Sequence, residues 1–466
     1  MTPITPDPST LIAEAHGRIA AWERSFGPVE PHPALEVDAD ALGAAFDDYV
    51  ARMTAPPRGE RPGMYPFGHP RYAGQMLKPP HPVALAAYAA AARINPNNHA
   101  LDGGPPTSEM EKEVVEDLAR LLGLPGALGH LTGGGTVANL EALFVAREET
   151  GGKAIAVGRD AHYTHARMAG VLGLEAVSVA GDGAGRIDLD ALEDVLRGGS
   201  VGTVVLTATT TGLGAVDPIA DAIPLCRRHG ARVHVDAAYG GFFRLLAHAE
   251  SPLSPEVRRH LRALEDADSV VVDPHKHGLQ PYGCGAVLFA DPVVGRHYRH
   301  DSPYTYFTSD ALHLGEISLE CSRPGAAAGA LWMTLRVLPL EAERGLGPVV
   351  AAGLRAARAF HDRLEASDRL VPLLAPETDI VVYAPRAESA SALDAASAAV
   401  FQSGMDDPAD PVFVSLYRLE AAALRAALPD LEADVPHVRV LRSVLMKPEH
   451  EAWTDRLADR LEALAG

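Results

Sequence analysis

Covalent chemistry needs a nucleophile, and VVVDPHKHG, residues 270–278, holds Lys276 between two histidines directly after an apolar run. A lysine in that place ordinarily just closes a strand and stays solvated. Other polar groups also follow apolar runs. RVHVD ends on Asp236 inside HVDAAYGG, AIAVG leads into RDAHYTH with His162, and TVVLTA leads into TTTG with Thr210 and Thr211. LTGGGTVANL, residues 131–140, adds Gly134, Gly135 and the Thr136 hydroxyl before a helix-like run, where bare backbone N–H groups would meet an anion.

Pyridoxal 5′-phosphate calls for all of these groups. Its aldehyde takes a lysine in a Schiff base, its pyridine nitrogen takes a carboxylate, and its phosphate takes a helix N-terminus. Lys276, Asp236, and Gly135 with Thr136 supply them, with His162 to pack over one ring face and the small Ala238 leaving room at the other. A dinucleotide site is the competing reading, because Gly133, Gly135 and Ala138 spell a loose G-x-G-x-x-A. The preceding GALGH does not read as a strand, however, and no ribose-binding acid follows. No lysine follows the glycines, which excludes a Walker-type loop. His275 with His277, and His162 with His165, have spacings a metal could use, but a metal leaves Lys276 and Asp236 without a purpose, so none is expected.

These groups need a scaffold that brings strand ends together. The runs 154–158, 203–208, 232–236 and 269–273 are short, β-branched and separated by helical sequence, which predicts an α/β fold with a mostly parallel sheet covered on both faces. In such sheets the ligand crevice lies beyond the carboxyl ends of the strands. TSEMEKEVVEDLARLLG reads as a helix opened by a Ser108/Glu111 capping box. Residues 1–95 are rich in proline and helical patches and read as an arm, 96–335 as a large cofactor domain, and 336–466 as a smaller α+β domain with strands at DIVVYA, PVFVSLY and HVRVLRSVL. The formal charge of −20 repels phosphate backbones and anionic membranes, so neither nucleic acid nor membrane is an expected partner. With no apolar leader or spanning run, a cytoplasmic location is expected. Cys226, Cys284 and Cys321 suggest neither a disulfide framework nor a zinc site and read as small buried residues.

The segments TSEMEKEV, GGGTVANLEAL, AHYTHARMAGVLGL, GRIDLDALEDVL, HVDAAYGG and DPHKHGLQPYGCGAVLF, in this order, resemble the group II pyridoxal-phosphate-dependent amino acid decarboxylases of fold type I, the aspartate aminotransferase-like superfamily. The likeness runs from HPRY at 69 to LRSVLMKPEHEAW at 441. It implies an L-amino acid decarboxylase acting through Lys276, releasing carbon dioxide and an amine, as a homodimer with shared active sites and an arm wrapping the partner. By position it implies His162 as the stacking ring, Asp236 as the pyridine partner, and His275 as a helper near the phosphate and lysine. Thr210 falls near the cofactor, and Gly134, Gly135, Thr136 and Asp273 fall around the phosphate. SRPGA at 322–326 brings Ser322 and Arg323 to a phosphate site, and Tyr304 and Tyr306 are the alternatives for a loop tyrosine that protonates the carbanion. Tyr72, Asn98, His99 and Phe307 would face the substrate. His277 stands where tryptophan is common, and Asp273 where asparagine is common, which leaves the substrate open. SRPGA also allows a carbon–carbon lyase, a functionally absent loop tyrosine would give an oxidative aldehyde synthase, and a non-catalytic binding protein would have no use for Lys276.

Overall fold

The computed structural model describes residues 4–55, 63–99, 101–299, 315 and 318–466. A seven-stranded sheet is built from β1 (Leu128–Thr132), β2 (Ala154–Gly158), β3 (Ala176–Val179), β4 (Val201–Thr207), β5 (Arg232–Asp236), β6 (Ser269–Val272) and β7 (Gly285–Phe289), in the order β1-β7-β6-β5-β4-β2-β3. Neighbours from β3 through β6 are parallel, and β7 runs antiparallel to β6 and β1. β4 and β6 are buried along their whole length, as strands covered on both faces must be. The register sets Asp236 level with Thr207 and Val271, so the turns leaving β4, β5 and β6 open onto one edge of the sheet.

Three sequence expectations change here. GALGH contributes to a strand after all: β1 is fully buried and pairs with β7 at the sheet edge. Its Gly129 has no room for a side chain, since a Cβ would lie 2.5 Å from the Val287 carbonyl oxygen, so a residue that argued against a strand is the one that permits it. The Ser108/Glu111 capping box does not form. The helix α4 (Pro105–Leu122) starts earlier, with Gly104 at its N-cap and no side-chain cap, and Glu111 accepts hydrogen bonds from Leu131 N and Asn98 Nδ2 instead. Of the cysteines, Cys226 and Cys284 are buried but Cys321 is exposed.

A second, antiparallel sheet combines β8 (Leu370–Pro372), β9 (Ile380–Pro385), β10 (Ser415–Glu420) and β11 (His437–Val444) in the order β10-β11-β9-β8. The helices Leu346–Glu365, Ala390–Asp406 and Thr454–Ala465 cover it over a core that includes Phe360, Tyr383, Val400 and Leu457. At the amino end, α1 (Pro8–Arg24) is capped by Asp7 and α2 (Ala39–Thr54) by Asp38; α1 packs along α3 (Pro82–Ile94), with His16 Nε2 3.2 Å from the Ala89 carbonyl, yet no residue of α1 or α2 is fully buried. Trp22, Leu42, Phe46 and Tyr49 on these helices remain exposed. No helix among the described residues is long and apolar enough to cross a membrane.

Candidate active site

At the carboxyl edge of β4, β5 and β6 lies a cavity of about 390 Å³, lined by Gly133, Gly134, Gly135 and Thr136 on one side and by His162, Asp236, Ala238 and Lys276 on the other. Four separate stretches of chain therefore meet there, each delivered by the strand before it. The Lys276 ammonium lies 3.1 Å from Asp273 Oδ2, and Asp273 is buried. The glycines are needed for this approach: a Cβ on Gly135 would lie 2.7 Å from Asp273 Oδ2, and Gly134 sits at φ 139°. The helix α5 (Gly135–Thr150) begins at this point with no side chain capping it, so its first N–H groups are open to an anion. Gly133 N already donates to a carboxylate, Glu320 Oε2, at 2.8 Å.

Asp236 is the most constrained group. Burial alone would raise its pKa, but the His165 hydrogen bond and charge, with help from Lys276 and the Ala238 N–H, reverse that and hold it well below the usual carboxylate range. His165 Nε2 is 2.9 Å from Oδ2, and Ala238 N donates to Oδ1 at 3.0 Å. Asn139 Nδ2 approaches Oδ2 at 3.4 Å, while Asn139 Oδ1 faces His234 Nε2 at 2.8 Å. His162 accepts at Nδ1 from Thr164 N, and burial lowers its pKa. His275 donates from Nδ1 to the Cys284 carbonyl and stacks beside Tyr282, its ring lying 3.5 Å from Asp273 Oδ2, with burial again lowering its pKa.

His277 faces away from the cavity. Its ring lies between Tyr239 and Phe243, with Nε2 3.3 Å from Asp379 Oδ2, just before β9 of the second sheet. Tyr239 donates to Asp379 Oδ1 at 2.7 Å, and burial raises the Asp379 pKa to about 6. His275 and His277 thus point to different partners and offer no common metal position.

Several expected site residues stand elsewhere. Thr210 is turned inward, its hydroxyl accepting from Ala215 N, and Thr207, Thr209 and Thr211 line the cavity instead. The chain bends after Thr207, and Thr210 closes the turn with Ala215 and Gly214, which the sequence does not mark. Arg323 is not free for a phosphate: its guanidinium is buried against Glu111, and it donates to the carbonyls of Leu131, Asn98 and Gly315. Ser322 accepts from Asn97 Nδ2. Asn98 spends its amide on Thr107 and Glu111. His99 N–H donates to Asn97 Oδ1. Tyr72 is buried among Phe67, Tyr65 and Phe413, outside the cavity. Tyr304, Tyr306 and Phe307 lie outside the described residues. Sequence reasoning missed His165, Asn139 and His234. The first was visible three residues after His162, but was read only as half of a metal pair.

The donor set fits pyridoxal phosphate. An amine, a carboxylate held ionised and an uncapped helix start share one cavity, and no side chain fits at Gly135. Comparison with known proteins points the same way. A family model described as pyridoxal-dependent decarboxylase conserved domain matches residues 62–384. The chain is 31% identical to a "Probable L-tyrosine/L-aspartate decarboxylase" of Methanothermobacter thermautotrophicus, covering 67% of this chain and 82% of that one. It is 27% identical to the L-tyrosine decarboxylase of Levilactobacillus brevis, over 78% and 75% of the two chains. Among solved structures, Oryza sativa TDC with PLP and tryptamine superposes with a TM-score of 0.76 at 19% identity, over 99% of both chains. Mouse CSAD does so at 0.75 and 21%, over 98% of both. At these identities the two structures establish the fold, that of the fold type I enzymes.

Proposed function

The chain belongs to the pyridoxal-dependent decarboxylases and is an amino acid decarboxylase of that family, and from this premise we propose that Lys276, Asp236 and the start of α5 form its catalytic centre. The observation carrying this reading is the meeting of the Lys276 amine, the Asp236 carboxylate and the glycine-lined helix start in one cavity. Bound there, pyridoxal phosphate supplies an electron sink for the bond broken at the α-carbon of an amino acid.

The chain's own groups have separable tasks. Lys276 is the amine that would hold the cofactor's aldehyde. Asp236, ionised, would keep a proton at the pyridine nitrogen, which would make the ring electron-withdrawing. Gly134, Gly135 and Thr136 would hold the phosphate with backbone N–H groups and one hydroxyl. His162 would pack over the ring, while the small Ala238 would leave room at its other face. Asp273 restrains the Lys276 ammonium, and His275, fixed by the Cys284 carbonyl, stands beside both.

The substrate is an L-amino acid, and the relatives direct the first trials to tyrosine, aspartate and 2,4-diaminobutyrate, the residues in the names of the proteins this chain resembles. The enzyme acts as a homodimer, a reading supported by Trp22 on α1 and by Leu42, Phe46 and Tyr49 on α2, apolar side chains that stay exposed among the described residues. The three free cysteines suit a reducing cytoplasm. The test is to reconstitute the protein with pyridoxal phosphate and follow carbon dioxide and amine together across these amino acids. Equal amounts of both, lost in Lys276→Ala, are expected; a lysine-dependent absorbance band with no carbon dioxide from any amino acid would overturn the reading.

A further inference from the structure

His165 is fully buried at the start of the helix α6 (Thr164–Val171), and it makes one side-chain hydrogen bond among the described residues, from Nε2 to Asp236 Oδ2 at 2.9 Å. A carboxylate oxygen only accepts, so Nε2 must carry the hydrogen. Its other nitrogen, Nδ1, is buried without a partner among the described residues. A buried polar atom left unpaired costs free energy, and the Asp236 bond offsets that penalty.

A second set of donors points the same way. Asn139 Nδ2 donates to the Gly135 carbonyl at 2.8 Å, which leaves Asn139 Oδ1 as the acceptor from His234 Nε2. His234 Nδ1 then accepts from the Ser269 hydroxyl at 2.9 Å. Hydrogens therefore run in one direction, from Ser269 through His234 and Asn139 toward Asp236 Oδ2, the oxygen that His165 also holds. The Ala238 N–H fixes Oδ1. Asp236 is thereby clamped at both oxygens from behind, and burial, which alone would favour its protonated form, is overcome with the His165 hydrogen bond as the largest opposing influence.

We propose that His165 is a positioning residue that orients Asp236 and keeps it a carboxylate, so that Asp236 can hold the proton on the cofactor's ring nitrogen. The proposal rests on the reading above that Asp236 is the ring-nitrogen partner. It adds that the ring's electron demand is set one shell further out, by a histidine that touches neither cofactor nor substrate. The imidazole acts as a fixed donor, so an amide of similar reach can replace it and an apolar ring cannot.

The experiment compares His165→Phe, His165→Gln and Asp236→Asn with the parent protein. The readouts are pyridoxal phosphate affinity of the apoprotein by absorbance titration, the pH dependence of the bound cofactor's visible band, and kcat and KM separately. Loss of one hydrogen bond to a buried charge corresponds to about a tenfold to hundredfold effect. His165→Phe is expected to weaken cofactor binding and lower kcat within that range, to shift the visible band's pH titration, and to leave KM within about threefold, while His165→Gln recovers most of each. If the Phe variant is unstable as an apoprotein, the Gln variant decides alone: parent-like behaviour supports the proposal, and a loss equal to that of Asp236→Asn overturns it. His165→Phe binding cofactor and titrating like the parent overturns it too. Asp236→Asn with no effect on the band would instead sink the site assignment on which the proposal stands.

Discussion

Lys276 and Asp273 form an ion pair in a buried setting, 3.1 Å apart, and Gly135 is the residue that leaves space for it. Two predictions belong at this scale. Lys276→Ala is expected to abolish the visible band of the bound cofactor and to lower decarboxylation by at least about a thousandfold, since the group removed is the proposed partner of the cofactor's aldehyde. Gly135→Ala, by forcing Asp273 aside, is expected to weaken pyridoxal phosphate binding by at least about tenfold while leaving the far-ultraviolet spectrum unchanged; unchanged affinity in an absorbance titration would show that the approach is not needed. A third concerns Lys447, whose ammonium is buried and donates to the Tyr72 carbonyl at 2.5 Å. Burial, reinforced by the charge of Lys78, lowers its pKa to about 7. Between that value and the unfolded value near 10.4 the unfolded chain binds the extra proton, so stability rises with pH across this window. One proton corresponds to a slope of about 1.4 kcal/mol per pH unit. Urea midpoints measured from pH 7 to 9 should climb, and Lys447→Met should flatten the climb.

At the scale of elements, α5 begins just after β1, and its uncapped first turn is the anion site proposed above. Placing a carboxylate there, as Thr136→Glu, is expected to lower the affinity for pyridoxal phosphate by at least about tenfold by competing for the same N–H groups, measured against Thr136→Gln as the neutral control. Much of this architecture is legible in the sequence because buried parallel strands are short apolar runs: β2 and β5 span the residues the pattern marks, and β4 and β6 differ by one or two. β1 is not legible, because Gly129 and His130 break the apolar pattern and only the close approach of β7 and the burial of His130 against Glu141 explain them. The cluster around Lys276 follows from strand ends, which sequence supplies. Which threonine of TATTTG faces the cavity, and that Arg323 and Asn98 serve buried contacts inside the chain, depend on side-chain direction and on partners more than a hundred residues away for Arg323. His165 escaped for the same reason: its partner Asp236 is 71 positions distant.

For the whole molecule, the amino-terminal helices are the exposed apolar feature. Each is capped; α1 leans on the helix Pro82–Ile94, whereas α2 leaves Leu42, Phe46 and Tyr49 exposed. The homodimer proposed above predicts that Leu42→Glu with Phe46→Glu halves the mass seen in sedimentation analysis and removes activity with it, whereas a dimer that persists would place the contact elsewhere. The joint beside the cavity carries a different consequence. His277, the residue next to Lys276, is wedged between Tyr239 and Phe243 and faces Asp379, at the threshold of the second sheet. The carboxy-terminal third is therefore not an interchangeable module: grafting that portion from a relative, without the side chain that meets position 277, would leave a mismatched seam one peptide bond from Lys276.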